Sequence, residues 1–136
     1  MAKPRILLVD DSEFFLEVEK GFLKQSDVTI FTAENGRSAL ELAGKVRPDL
    51  IYMGLNMPGL AGDACCSILK ADPVLGSIPV IMVIAAGSDR DLEACRKAGC
   101  DALLTRPVDR KLLGISPFGA SHLSSLPSLG IVTLGR

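Results

Sequence analysis

The chain has 136 residues, of which 48% are hydrophobic and 23% charged, and its formal net charge is −1. These fractions are close to globular averages, and the length suits one domain with a sizeable core. Balanced charge offers no basic patch for nucleic acid or an anionic membrane, and no apolar run approaches the roughly 20 residues of a membrane span. Two aspartates interrupt the short apolar run near the N-terminus, so it does not predict a signal peptide. We therefore expect a cytoplasmic globular protein that binds neither nucleic acid nor membrane.

Short apolar runs alternate with helical patterns along the first part of the chain. β-rich runs predict strands at Arg5–Val9, 28–33, 49–53, 79–86 and Ala102–Thr105. Apolar residues at helical spacing predict helices at 12–24, 36–46, around 66–69, 88–98 and from 109 onward. Strands that alternate with helices predict an α/β domain whose parallel sheet is covered on both faces. In such a sheet the functional site lies beyond the carboxyl ends of the strands, at a switch in strand order.

The C-terminal residues differ from the rest of the chain. Residues 114–136 contain one charged side chain, Arg136, and eleven of these 23 residues are Gly, Ser or Pro. We therefore separate a domain at 1–113 from an atypical tail at 114–136, and expect the fifth helix to be truncated or irregular. Two readings of the tail stay open: disorder, or packing of residues 129–134 as an added strand. Apolar surface left by a short fifth helix would also suit a homodimer through this region.

Four cysteines, Cys65, Cys66, Cys95 and Cys100, form no CxxC pair, and His122 is the single histidine. The spacings of common zinc sites are therefore absent. We expect free thiols, buried or half-buried, in a reducing compartment.

Four motifs stand where the predicted strands end: LLVDDS from residue 7, PDLIYMGLNMPGLAG from residue 48, IPVIMVIAA from residue 78 and AGCDALLTRPVD from residue 98. Together they resemble the CheY-like receiver domain of bacterial response regulators, over roughly residues 4–113. The resemblance implies a single doubly wound, flavodoxin-like sheet of five parallel strands in the order 2-1-3-4-5. It also implies two-component (phosphorelay) signal transduction.

Receivers of this family normally take a phosphoryl group from a histidine kinase onto an aspartate that ends the third strand. The resemblance implies that Asp10 and Asp11 match the acidic pair that holds Mg²⁺, with the Asn56 carbonyl as a further ligand. A Ser or Thr after the fourth strand and a Lys after the fifth bind the phosphoryl oxygens. The nucleophile, the metal and the donors are the groups that this chemistry requires.

This sequence departs from the family pattern at most of those positions. Gly54 stands at the acceptor position, Ile84 at the Ser/Thr position and Arg106 at the Lys position, while Leu103 replaces the aromatic switch residue. We therefore expect no catalytic residue and no enzyme, and at most a weak or vestigial Mg²⁺ site at Asp10, Asp11 and Asn56. An inward-pointing Arg106 would pair with one of the aspartates in place of the metal.

The favoured function is that of a pseudo-receiver, which signals by protein–protein contact and not by phosphoryl transfer. Its expected partners are a histidine kinase or a downstream target, bound through the fourth helix and fifth strand, Asp89–Ala98 and 103–105. The alternative is an altered variant of a phosphorylatable, Mg²⁺-dependent receiver. Residual phosphotransfer at Asp10 or Asp11 is a weaker reading because of their short reach. Flavin or nucleotide binding would need a glycine-rich loop after the first strand, and this sequence has none there.

Overall fold

The computed structural model of the chain describes residues 3–24, 26–84, 89–105 and 131–133, the last of these by backbone alone. The strands are β1 (Arg5–Val9), β2 (Thr29–Ala33), β3 (Leu50–Gly54), β4 (Val80–Ile84), β5 (Ala102–Thr105) and β6 (Ile131–Thr133). The helices are α1 (Glu13–Leu23), α2 (Gly36–Val46), α3 (Gly62–Ala71) and α4 (Asp89–Ala98), with a single 3₁₀ turn at Leu75–Ser77.

The strands form one sheet in the order β2-β1-β3-β4-β5-β6. The first five are parallel and follow the predicted order 2-1-3-4-5, so the flavodoxin-like fold is confirmed. The sheet has one strand more than the expected five, because β6 pairs antiparallel with β5, with Leu103 opposite Val132. Of the two readings of the tail, the added strand is therefore the correct one for residues 131–133. The expected fifth helix, from residue 109, lies outside the described residues.

Both faces of the sheet are buried, and each face is covered by a different set of helices. Leu7 and Met53 point into a core shared with α2, α3 and α4, whereas Leu8 and Tyr52 point into a second core shared with α1. Burial on both faces explains why β3 and β4 are buried at every position and read as unbroken apolar runs.

Side-chain caps fix the starts of two helices next to the carboxyl ends of β1 and β2. The Ser12 hydroxyl accepts a hydrogen bond from the Phe15 N–H at 3.3 Å, and the Asn35 side chain accepts one from the Ser38 N–H at 2.8 Å. These bonds satisfy amides that lack a partner within the helix. Ser12 also holds the turn that contains the two aspartates, because its N–H donates to Asp10 Oδ1 at 2.9 Å.

Lys70 of α3 and Asp101 form an ion pair in the interior beside β4. Their charged atoms are 2.8 Å apart, with the side chains 13% and 9% exposed. The ammonium of Lys70 also donates to the Ile78 carbonyl at 2.7 Å, and the Asp101 carboxylate accepts the Val80 N–H at 2.8 Å. The pair therefore ties α3 to the segments that enter β4 and β5.

Replacement of Lys70 by Met should lower the free energy of unfolding by about 3 kcal/mol, because it leaves the Asp101 carboxylate buried without its counter-charge. Chemical denaturation of the two proteins measures this difference. Lys20→Met is the matched control: Lys20 pairs with Glu17 on the surface, so its loss should change stability by no more than about 0.5 kcal/mol. Equal losses in the two variants would contradict the structural role of the buried pair.

Glu19 is a buried ionisable side chain on the opposite face of the sheet, which α1 covers. It lies on the inner face of α1 with Leu16 and Leu23, is only 2% exposed, and its Oε2 atom has no hydrogen-bond partner within the described ranges. Burial disfavours the charged carboxylate and raises the pKa of Glu19 to about 7.

Glu19 should make the protein less stable as pH rises from about 4.5 to about 7. The folded state holds the proton over that interval and the unfolded state does not, so the favourable contribution present at low pH is lost on ionisation. Glu19→Gln cannot ionise and should be the more stable protein above pH 7, by about 3 kcal/mol. Urea denaturation at a series of pH values tests this. Glu41 is exposed, so Glu41→Gln should show the same change of unfolding free energy with pH as the unaltered chain. The prediction would be contradicted if the unfolding free energy of Glu19→Gln also changed with pH in the same way as that of the unaltered chain.

Candidate functional site

Three chain segments that carry the predicted site meet at the carboxyl edge of the sheet. Val9 pairs with Met53, and Gly54 pairs with Val83, so the ends of β1, β3 and β4 are neighbours. This arrangement brings Asp10 and Gly54 together, as the topology predicts. Ile84 ends the next strand and stands opposite Thr105.

The two aspartates after β1 occupy different environments. Asp10 is 2% exposed; its Oδ1 accepts the Ser12 N–H at 2.9 Å, and its own N–H donates to the Ala33 carbonyl at 3.1 Å. Asp11 is exposed to solvent. Asp10 is therefore held in one place by the backbone of the loop, whereas Asp11 is free to face an approaching ion or partner.

Gly54 lies directly beside the Asp10 carboxylate. A Cβ atom added at Gly54 would come within 3.2 Å of Asp10 Oδ2 and within 3.4 Å of the Val9 carbonyl oxygen. Any side chain at this strand end would therefore start against Asp10. At this position β3 presents only backbone, and the nearest carboxylate is that of Asp10, in the loop after β1.

Gly62, which sequence reasoning did not single out, shapes the other wall of the site. Its N–H donates to the Leu55 carbonyl at 2.8 Å, and a Cβ at this position would lie 2.1 Å from the Gly54 carbonyl oxygen. Only glycine lets the start of α3 approach β3 so closely. The motif that ends in this glycine was the available signal, but the contact that requires it is tertiary.

The remaining predicted positions are aliphatic or lie at the surface. Ile84 is 3% exposed and Leu103 is 1% exposed, and both pack in the core that α2, α3 and α4 cover. Ile84 therefore offers hydrocarbon where a hydroxyl would be needed to bind an anion. Asn56 is exposed next to the site. Arg106 lies outside the described residues, so its pairing with either aspartate stays a prediction.

The described side chains at this edge offer two carboxylates to a Mg²⁺ ion. Mg²⁺ in proteins uses one or two carboxylates together with waters and substrate phosphates. Asp10 and Asp11 supply two carboxylates, one of which is already hydrogen-bonded to the loop, and Gly54 supplies none. Across the part of the chain that the structure describes, no group of three or more His, Cys, Asp or Glu side chains is arranged to hold a metal. The same residues include no helix that is long and apolar enough to cross a membrane.

Comparison with known proteins agrees with this fold. The family described as response regulator receiver domain matches residues 6–114. The polar-differentiation response regulator DivK of Brucella anthropi is 34% identical over 103 residues, which cover 76% of this chain and 84% of DivK. Among solved structures, the signal receiver domain of a signal transduction histidine kinase from Syntrophus aciditrophicus superposes with a TM-score of 0.76 at 34% identity, covering 92% of this chain and 90% of that one.

A third likeness concerns the fold alone. The chemotaxis protein CheY4 of Vibrio cholerae superposes with a TM-score of 0.77 at 23% identity, covering 94% of this chain and 99% of that one. The fold and the acidic strand end thus define a CheY-like receiver domain of two-component signalling. The chain belongs to the response regulator receiver domain family.

Two substitutions at Gly54 should separate the effect of side-chain volume on stability from the effect of side-chain charge. Gly54→Ala adds only the Cβ that meets Asp10 Oδ2, whereas Gly54→Asp adds a second carboxylate beside it. Two carboxylates 4 Å apart repel by about 4 kcal/mol at an effective dielectric constant of 20. Without metal, Gly54→Asp should therefore be less stable than Gly54→Ala by about 1–3 kcal/mol.

Millimolar Mg²⁺ should remove most of that difference, because the cation neutralises the paired carboxylates. Thermal or urea denaturation of both variants with and without Mg²⁺ measures the effect. Equal stability of the two variants under both conditions would contradict the proximity of the two side chains.

Proposed function

We propose that this chain is a pseudo-receiver: a receiver domain that signals through protein contacts and takes no phosphoryl group at the end of β3. Gly54 is the observation that carries the proposal. Formation of an aspartyl phosphate needs a carboxylate oxygen as nucleophile, and glycine has no side chain. Receiver domains are generally non-enzymatic signalling domains, so the loss of the acceptor leaves their binding role intact.

The surroundings of Gly54 support the same reading. The buried carboxylate of Asp10 borders the space that an acceptor side chain would fill, and its Oδ1 already accepts a hydrogen bond from the Ser12 backbone. Ile84 contributes a buried hydrocarbon side chain, so it supplies no hydroxyl donor for a phosphoryl oxygen. Each departure alone weakens phosphoryl transfer, and the two act on different parts of the reaction.

Removal of the acceptor also relieves charge repulsion at this edge. Three carboxylates within 4 Å of one another would repel by about 4 kcal/mol for each pair at an effective dielectric constant of 20. With Gly54 present, only Asp10 and Asp11 remain. Arg106 then serves as their counter-charge in place of a tightly held metal, and Mg²⁺ binds weakly through Asp10, Asp11 and the Asn56 carbonyl.

The proposed contact surface is the α4–β5 face, which we define as α4 together with residues 103–105. Asp89, Arg90, Arg96 and Lys97 are exposed on α4. The edge of β5 that faces away from β4 is already paired with β6 of the same chain. A partner would therefore contact the charged side chains of α4 and would not add a strand to β5. A histidine kinase or a downstream signalling protein is the partner class. A homodimer through the C-terminal region belongs to the same proposal.

Intact mass after incubation with acetyl phosphate and Mg²⁺ tests the loss of phosphoryl transfer. The unaltered chain should gain no phosphoryl group. Gly54→Asp restores the acceptor, and Gly54→Asp combined with Ile84→Thr also restores a hydroxyl. Gly54→Asn has the shape of the acceptor without its nucleophilic oxygen and is the matched control. An added mass that disappears on treatment with hydroxylamine identifies an acyl phosphate.

Which of these proteins become phosphorylated decides between a pseudo-receiver and an altered form of a phosphorylatable receiver. Modification of the double variant alone, or of none, means that the site is disabled beyond one residue and supports a long-standing pseudo-receiver. Full modification of Gly54→Asp by itself would favour the alternative, an altered form of a phosphorylatable receiver. A hydroxylamine-sensitive adduct on the unaltered chain would overturn the proposal.

A further inference from the structure

Two cysteines meet at the C-terminal end of α4, away from the acidic edge of the sheet. α4 ends at Ala98, Gly99 follows with a φ of +83°, and Cys100 leads into β5. The Gly99 N–H donates to the Arg96 carbonyl at 3.1 Å, and the Cys100 N–H donates to the Cys95 carbonyl at 3.3 Å. These are the two bonds of a Schellman motif, which brings the side chains of its first and last residues into contact.

In this motif the two contacting side chains are both thiols. Cys95 and Cys100 are 0% and 1% exposed, and neither is in a disulfide. With standard backbone bond lengths, the main-chain bond between the two residues limits their Cα separation to about 7 Å. A disulfide spans Cα separations of roughly 4.4–6.8 Å, so the turn holds the two Cα atoms close to the range that a disulfide needs.

The two thiols of the pair differ in acidity. The Cys100 S–H donates to the Cys95 sulfur, and this bond lowers the pKa of Cys95, against the opposing effects of burial and of the Asp63 and Asp91 charges. The same bond and burial raise the pKa of Cys100. Cys95 is therefore the thiol on which negative charge is stabilised, and a thiolate is the form that attacks an oxidant.

The other two cysteines are placed differently, although they are equally buried. The Cys65 thiol donates to the Gly36 carbonyl and the Cys66 thiol to the Ala98 carbonyl, both at 3.5 Å. Burial raises the pKa of Cys65 to about 11. Cys65 is thus a matched internal control: a buried thiol of the same domain whose hydrogen bond goes to a carbonyl oxygen and not to a second thiol.

A groove runs along α4 beside the residues that flank Cys95. A groove of about 410 Å³ follows the seam between α3 and α4, and its lining includes Ala94 and Ala98, which lie on either side of Cys95 in the sequence. Ala64 and Ser67 line it from α3. Asp63, Arg90, Glu93 and Lys97 complete the lining. Both thiols are buried, so an oxidant reaches them only when the seam opens by local fluctuation.

We propose that Cys95 and Cys100 form a redox modification site, a dithiol that hydrogen peroxide converts to an intramolecular disulfide between the end of α4 and the start of β5. The Cys95 thiolate attacks one peroxide oxygen; the S–O bond forms, the O–O bond breaks, and the released hydroxide takes up a proton to become water. The Cys100 thiolate then attacks the Cys95 sulfur; the S–S bond forms and the S–O bond breaks, releasing a second hydroxide that leaves as water. Two thiols are oxidised, and one peroxide is reduced to two waters.

Mass spectrometry after peroxide treatment tests the assignment on the full folded chain. The treated protein is alkylated in denaturant and digested with trypsin, which cuts after Arg96 and Lys97 and so places Cys95 and Cys100 on separate peptides. We expect these two peptides to be joined by a disulfide that dithiothreitol reverses. Cys65 and Cys66 share a third peptide that ends at Lys70 and should be recovered alkylated. Linkage should proceed at least about tenfold faster than any modification of Cys65.

Two variants test the roles of the individual cysteines. Cys65→Ser leaves the pair in place and should form the same link at the same rate. Cys100→Ser keeps a hydroxyl donor to Cys95 but removes the second sulfur, so peroxide should stop at a Cys95 sulfenic acid that dimedone captures. Circular dichroism of each variant before treatment shows whether it is folded.

Several results would overturn the proposal. One is a peptide link that involves Cys65 or Cys66. A second is recovery of Cys95 and Cys100 fully alkylated while Cys65 is oxidised. A third is an equal linkage rate in the urea-unfolded chain, since the structure assigns the pairing to the folded turn. Absence of a dimedone adduct at Cys95 in a folded Cys100→Ser protein would refute Cys95 as the attacking thiol.

Discussion

Burial of the parallel sheet on both faces is the constraint on which the rest of the structure depends. Because β3 and β4 are covered above and below, nearly all of their side chains are apolar, and the buried Tyr52 is the one that carries a hydroxyl. The acidic residues of the site follow the end of β1. The order 2-1-3-4-5 then brings the ends of β1, β3 and β4 together at one edge. The acidic loop, Gly54 and Ile84 are neighbours for that reason, although 74 positions separate Asp10 from Ile84 in the sequence.

At that edge the backbone contacts that shape the strand ends are in place, whereas β3 ends in Gly54, which has no side chain. Gly62 still allows α3 to approach β3, and the Ser12 cap still holds the loop of Asp10. A receiver fold can therefore keep its binding surfaces after it loses an acceptor, because the fold depends on burial and backbone contacts and not on the reacting carboxylate. This separation of fold from reaction is the physical basis of the pseudo-receiver that we propose.

The polar groups inside the domain are governed by the same low-dielectric surroundings, with different outcomes. Lys70 and Asp101 satisfy each other and nearby backbone groups at the junction of α3 with the strands. Glu19 has no such partner among the described residues, and its burial favours the neutral acid. The hydrogen bond within the Cys95–Cys100 pair distinguishes one thiol from the other. The effect of burial on a polar group thus depends on the partner that the fold supplies: an ion pair at Lys70, a neutral acid at Glu19, and a thiol of altered acidity at Cys95.

The sequence by itself determined the order of the elements, the parallel sheet and the strand ends that carry the site, since apolar periodicity and short motifs are local properties of the chain. It also determined that Gly54 and Ile84 lack the groups of a phosphoryl acceptor site. Only the tertiary structure decided that Gly62 must be a glycine, that residues 131–133 pair with β5, and that Cys95 meets Cys100. The first two depend on distances between atoms of separate segments, and the third depends on the left-handed backbone conformation of Gly99. Local periodicity of apolar residues reports neither of these features.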